Sequence, residues 1–486
     1  MSSTAIVVAL YFLALLGWGL YNFIQNNRKG GGTVESQFVG SRSYSASHLL
    51  ATLVAVWASN YTLLAAAQSG FANGISGPIW YAIGVGLPLF LFVWPLNIAT
   101  RIRELMPNGV TMIELIGKRY DEKSRLAALA IIIVSNILFI VSVVLAIGIV
   151  LKALLGTSLT TAIIIGGVVM VLYTALGGFE ALMYSHVFQL ALAGGAVVVS
   201  LILALSNFSL SEIIARVSAD SDRMLNVLAW GPNSMLDFFL ALTGFTIAAP
   251  VLYQIAFSGK SDKDVTRAFK WFGLTWAPFA VGTGIMGMIC YLLYPSTAAQ
   301  DAAPTLVMNL FPEWAAVLFF LGGMALVFSS ADATVNNVAS ILIFDIYKQY
   351  SKSELTPKKA FRLSIVSQIV LGTLGILGAL SFGDGILQLL VVNSMVNIPL
   401  IFTIIFGLFW KRTHPTAAFW AMIVGLAAEF VLYYGFDKAY VMYTNFAGLI
   451  LSVAILVIGT LVATRQSTDY ISSMIKQNVV RGEDVA

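Results

Sequence analysis

Thirteen apolar runs follow one another along this chain, joined mostly by short polar connections. They lie near residues 5–24, 48–71, 79–99, 125–154, 158–178, 181–205, 235–257, 272–294, 314–344, 361–382, 385–410, 416–435 and 441–463. A helix needs about 20 apolar residues to cross a bilayer. Inside lipid a backbone must satisfy its own polar groups, so such runs fold as helices. Only 10% of the residues are charged, against about 25% in soluble domains. The pattern predicts an all-α integral membrane protein with thirteen transmembrane helices.

The lysines and arginines test that count. The first run, Ala5 to Ile24, has no basic residue ahead of it and "NNRKGGG" behind it. It therefore reads as an anchor with its amino end outside, not as a cleaved signal. Alternating from there puts every lysine and arginine inside except Lys152, Arg216, Arg223 and Lys438. Basic residues favour the cytoplasmic side. A missed span would scramble this partition. The carboxyl end, with a short tail after Thr464, is expected inside, and the location is the plasma (inner) membrane.

Polar residues within the runs then need explanation, because unpaired polar groups are costly in hydrocarbon. "LVFSSADATVNNVAS", Leu326 to Ser340, is the densest case. On a helix Ser330, Thr334 and Asn337 share one face, and Ser329, Ala333 and Asn336 share its neighbour. Their oxygens suit a hard cation, or else hydrogen bonds between helices. Asp332 reads as a contact to a neighbouring helix. "ATLVAVWASNYTLLAAAQSGFANG", Ala51 to Gly74, combines small residues with Ser59, Thr62 and Gln68. It is either a close-packing face or a discontinuous helix. "LTGFTIAAPVLYQIAF", Leu242 to Phe257, holds Thr246 and Tyr253 around Pro250, which frees a carbonyl. That is a kink or a second broken helix. His186 lies inside a run as a packing residue or a proton carrier.

Several functions are excluded. Cys290 stands alone, so no intrachain disulfide forms. No HExxH or CxxC spacing occurs, and no tail suits nucleic acid. An enzyme would need an acid, base or metal cluster, whereas the intramembrane acids Asp237, Asp332 and Glu429 are scattered. No lysine or arginine lies well inside a span, which favours a small neutral or zwitterionic solute over an anion.

Five stretches in order resemble the solute:sodium symporter family: "FVGSRSYS", "LMPNGVTMIELIGKRY", "YTALGGFEALMYSHVFQ", "FSSADATVNNVASILIFDIYK" and "LFWKRTHPTAAFWAMIVG". The resemblance implies the LeuT-type fold: a core of two inverted five-helix repeats, with discontinuous first and sixth core helices. The expected division is 1–46 for an extra helix and lead-in, 47–205 and 206–410 for the repeats, and 411–486 for two last helices and the tail. It implies sodium as the co-transported ion, held by Ala55 and Ala58 on the first core helix and by Leu326, Ser329 and Ser330 on the eighth. The solute is expected at Ser59, Thr62, Gln68, Thr246 and Tyr253. A monomer suffices.

The departures from the family pattern carry information. His186 stands where many members have an aspartate that builds a second sodium site, which argues for one sodium per cycle and for a pH or coupling role of His186. Trp57 replaces the acid of proline-type members, and Thr62 the glutamine of sugar-type members. The arginine of sialic-acid-type members is missing. "GISGPIWYAIG", Gly74 to Gly84, looks most like the urea-transporting branch. The expected activity is sodium-coupled symport of a small neutral or zwitterionic solute, with a urea-like one as the lead. The alternatives are proton-coupled or other nutrient symport, of an amino acid or monocarboxylate, and a non-transporting membrane sensor.

Overall fold

The computed structural model describes residues 3–28, 33–206, 210–382, 386–435 and 441–463. The expected tail after Thr464 lies outside the described residues, as do Lys29, Lys438 and the side chain of Asp237. The principal helices, in chain order, are α1 (Ser3–Arg28), α2 (Ala46–Trp57), α3 (Ala66–Asn73), α4 (Ser76–Leu91), α5 (Ile98–Leu105), α6 (Met112–Arg119), α7 (Glu122–Leu155), α8 (Leu159–Ser206), α9 (Pro232–Ile247), α10 (Pro250–Ser258), α11 (Asp262–Leu293), α12 (Glu313–Ile341), α13 (Pro357–Phe382), α14 (Ile386–Asn397), α15 (Leu400–Phe409), α16 (Pro415–Gly435) and α17 (Val441–Val462). Among the described residues there is no strand, only an isolated bridge between Tyr44 and Gly259.

Nine helices among the described residues are long and apolar enough to cross a membrane, or eleven segments if each of two bent pairs counts as one. The first pair, Ala46–Trp57 with Tyr61–Asn73, bends by 59°. Ala58, at φ −73° and ψ 57°, leaves the helical region there. The second pair, Phe238–Ile247 with Pro250–Ser258, bends by 42°. Pro250 has no N–H to donate and drives Ala249 into extended backbone at ψ 106°. A third interruption divides α8, where Gly178 sits at φ 71° and ψ 172°. Only glycine adopts such a conformation readily.

Local chemistry sets the helix starts. Thr111, Asp121 and Ser261 each accept a hydrogen bond from the backbone N–H three residues on, capping α6, α7 and α11. The core is organised around α12. Every residue from Gly322 to Ile341 is buried, so the polar stretch within it faces protein, not lipid. It packs along α8, α7 and α2.

Small residues let α3 touch α11 at backbone distance. A Cβ added to Gly287 would lie 1.9 Å from the Ala67 carbonyl oxygen, and one added to Gly70 would lie 2.0 Å from that of Gly284. The Thr283 hydroxyl also donates to the Thr62 carbonyl at 2.7 Å. The outer part of the first bent pair is thereby fastened to α11.

Candidate functional site: an oxygen cluster beside a small cavity

Breaking α2 at Ala58 frees three successive carbonyls, those of Ala55, Val56 and Trp57. In a continuous helix they would accept from residues 59, 60 and 61. Three side-chain hydroxyls replace those donors. Ser329 Oγ donates to Ala55 O at 2.7 Å, Ser330 Oγ to Val56 O at 2.7 Å, and Thr62 Oγ1 to Trp57 O at 3.0 Å.

The serine pair has a further property. Ser329 Oγ also lies 2.7 Å from Leu326 O, and Ser330 Oγ lies 2.9 Å from the same oxygen. Each hydroxyl carries one proton, so two protons serve four contacts. Five buried oxygens thus converge with lone pairs to spare: three carbonyls and two hydroxyls. Such a set of neutral oxygens suits a hard monovalent cation. Of the five residues expected to hold sodium, Ala55, Leu326, Ser329 and Ser330 come together. Ala58 makes no such hydrogen bond among the described contacts. Its ψ of 57° turns its carbonyl away from the helical direction, while its N–H still donates to Val54 O. Val56, two residues earlier, adds a carbonyl to those expected, and the Ala58 carbonyl accepts from no described donor.

A cavity of about 30 Å³ adjoins this cluster. Ser59 borders it at the first break, and Ala248 and Ala249 border it at the second. Asn136 comes from α7, Thr334 from α12 and Asn397 from the end of α14. Trp57, Phe139 and Phe245 complete an aromatic wall, with Trp57 and Phe139 centred 5.5 and 5.7 Å from Phe245. Val56 lines the cavity while its carbonyl meets Ser330, so the two sites share a residue.

The other expected solute residues are dispersed. Thr62 spends its hydroxyl on Trp57 O. Thr246 is buried and its hydroxyl has no partner among the described residues. Tyr253 donates to Ile247 O at 2.8 Å, which bridges the second break. Gln68 lines a separate cavity of about 520 Å³ with Lys152 and Asp301. Asn136, Asn397 and their neighbours Ser135 and Asn393 were not singled out. Their signal was available, since Asn393 and Asn397 recur at helical spacing in "VVNSMVN".

One turn beyond the serines, His186 Nε2 lies 2.9 Å from Asp332 Oδ1, and the Tyr173 hydroxyl donates to Asp332 Oδ2 at 2.9 Å. Asp332 is thus a contact between α12 and α8. At the face that carries the basic loops, α10 is clamped. Arg42 donates to the Phe257 and Gly109 carbonyls, and Arg103 to those of Ala256 and Gly259. Both guanidiniums meet the carbonyl end of α10, which carries the negative end of the helix dipole. Ala46 N–H donates to Asp264 and Lys260 N–H to Tyr44 O, tying the start of α2 to the same place.

Comparison with known proteins points to one family. The model of the sodium:solute symporter family matches residues 37–425. A sodium/pantothenate symporter of Haemophilus influenzae is 23% identical over 87% of this chain and 89% of its own. A urea-proton symporter of Oryza sativa subsp. japonica is 22% identical over 81% of this chain and 61% of its own. Among solved structures, a substrate-bound, outward-open sodium-coupled sialic acid symporter has a TM-score of 0.76 at 21% identity, covering 96% of this chain and 99% of that one. At that identity the likeness speaks for the fold.

Proposed function

The chain belongs to the sodium:solute symporter family, and from that premise we propose how it carries its cargo. Sodium is the co-transported ion, and the protein is a multi-pass membrane transporter. The sodium site is the cluster of Ala55, Val56 and Leu326 carbonyls with the Ser329 and Ser330 hydroxyls. The observation that carries this reading is the shortage of protons at the serine pair: a cation supplies the positive charge that the carbonyls lack.

The solute site is the adjoining cavity between the two breaks. Binding sodium pulls α2 toward α12 and shapes Val56 and Thr334 on the cavity wall, so ion and solute favour the same state. Release toward the basic face requires Arg42 and Arg103 to let go of α10. One charge moving through about 100 mV yields about 2.3 kcal/mol, and tenfold accumulation costs about 1.4 kcal/mol. The solute is a small neutral or zwitterionic organic molecule, with urea as the first to try.

The reading is thirteen spans, with the amino end outside and the carboxyl end inside, and the helices support the number. The nine long helices and two bent pairs become twelve segments when Gly178 divides α8, and α4 is the thirteenth. The breaks at Ala58 and Ala249 fall early in each of the two proposed repeats.

Binding of radiolabelled sodium to the purified protein tests the proposal without knowledge of the solute. Saturable binding with a Hill coefficient of about one is expected, because the His186–Asp332 pair occupies the place where a second ion would need an uncommitted acid. A coefficient near two overturns the stoichiometry. Absence of sodium binding overturns the site.

A further inference from the structure

The cavity wall carries a directional signal that the family reading does not contain. Asn136 Nδ2 donates to the Ile132 carbonyl at 2.8 Å. Asn397 Nδ2 donates to Ser135 Oγ at 2.7 Å and to the Asn393 carbonyl at 3.0 Å. Ser135 Oγ in turn donates to Asn393 Oδ1 at 2.6 Å. A carbonyl accepts only, and a hydroxyl that has given away its one proton accepts only. The amide nitrogens of both asparagines are therefore fixed by their partners and cannot exchange places with the oxygens.

Both asparagines border the cavity, and both are at least nine-tenths buried. Asn397 spends both amide hydrogens on protein, and Asn136 spends one of its two on the Ile132 carbonyl. Their oxygens accept from no described group. Ser59 and Thr334 add hydroxyls that turn to suit a ligand. The two fixed oxygens on this wall thus ask for N–H donors. A carboxylate would set its own oxygens against theirs.

Two more features narrow the class. The lining residues include no ionisable side chain. Sodium would sit next door, on the Val56 carbonyl, and would repel a second cation across a poorly screened gap. The amino end of α10 meets the cavity at Ala249 and Pro250, and its positive dipole end suits a carbonyl oxygen.

We propose that this cavity selects an uncharged solute with at least two N–H donors and one carbonyl oxygen, a urea or small primary amide, by the outward oxygens of Asn136 and Asn397. The amide hydrogens meet those oxygens, and the carbonyl points to the start of α10. This rests on the cavity being the solute site of a sodium symporter.

The test is thermal stabilisation of the full-length protein in nanodiscs at saturating sodium. The probes are urea, acetamide, acetate, glycine and guanidinium. Urea and acetamide are expected to stabilise, and acetate, glycine and guanidinium are not. Asn136→Leu and Thr334→Val should each weaken the urea effect about tenfold or more, as loss of a buried hydrogen-bond partner implies. Sodium stabilisation should persist in both variants, which shows that they are folded. Stabilisation by acetate, glycine or guanidinium but not by the amides overturns the proposal, as do failure of every probe and variants that respond to urea like the parent. If sodium itself fails to stabilise the parent, the symporter reading fails instead, and that result is separate from the solute series.

Discussion

The breaks at Ala58 and Ala249 both interrupt a helix in the buried interior, but they are completed differently. At Ala58 two of the three freed carbonyls are answered from another helix, by Ser329 and Ser330 of α12. At Ala249 the Ile247 carbonyl is answered from within the same bent pair, by Tyr253. One break depends on a neighbour that can exchange its proton contacts for an ion. The other is self-sufficient and serves as a jointed wall. Their anchors differ as well. The first pair is held beyond its break by glycine packing against α11, and the second by Arg42 and Arg103 at its far end. The proposed ion site therefore belongs to the first break, and the second contributes cavity shape.

The largest test of this contrast is Gly287→Ala. The new methyl would lie 1.9 Å from the Ala67 carbonyl oxygen, a backbone atom that no rotamer change can move. Forcing α3 away from α11 should cost about 3 kcal/mol or more. Size-exclusion chromatography of the tagged protein should show loss of the folded peak. A normal peak with normal sodium binding would mean that the anchoring of the first pair has been misread.

Next come Ser329→Ala and Ser330→Ala. Each removes one of five oxygens and leaves a freed carbonyl without a donor. Sodium affinity should fall about tenfold or more in each, worth about 1.4 kcal/mol. Urea binding at saturating sodium should change much less. The comparison collapses if sodium binding is unaffected while urea binding is lost, because the serines would then belong to the cavity.

How much of this was legible beforehand depends on which bonds carried it. The apolar runs are a property of consecutive residues, and so the bent pairs and long helices could be placed. The polar stretch from Leu326 to Ser340 stood out because polar groups at the centre of a buried helix need partners, and the family resemblance singled out Ser329 and Ser330 within it. Val56 did not stand out, since a backbone carbonyl leaves no mark on side-chain identity. Only the torsion at Ala58 decides which carbonyls are released. Gln68 and Tyr253 were drawn toward the solute by their polarity alone. Their partners, an open cavity beside Asp301 and the Ile247 carbonyl, are set by tertiary placement. Asp332 likewise needed the position of His186, 146 residues away in sequence, before its role was visible.

The smallest effect is the most discriminating. Tyr253→Phe removes the donor that closes the second break and leaves the Ile247 carbonyl buried without that bond. The ring remains, so its packing on Phe92 at 5.5 Å is kept. The expected cost is about 1 kcal/mol, the usual net worth of one such hydrogen bond. Thermal unfolding should move down by a few degrees, with the sodium concentration for half-maximal stabilisation unchanged. That pairing separates a self-contained break from one that builds the ion site. A Tyr253→Phe variant with weakened sodium binding would show that the joint at Ala249 is transmitted to the serines, through Val251 and Thr334 across the cavity they share. The two breaks would then act as one mechanical unit, and the division between ion site and wall would have to be abandoned.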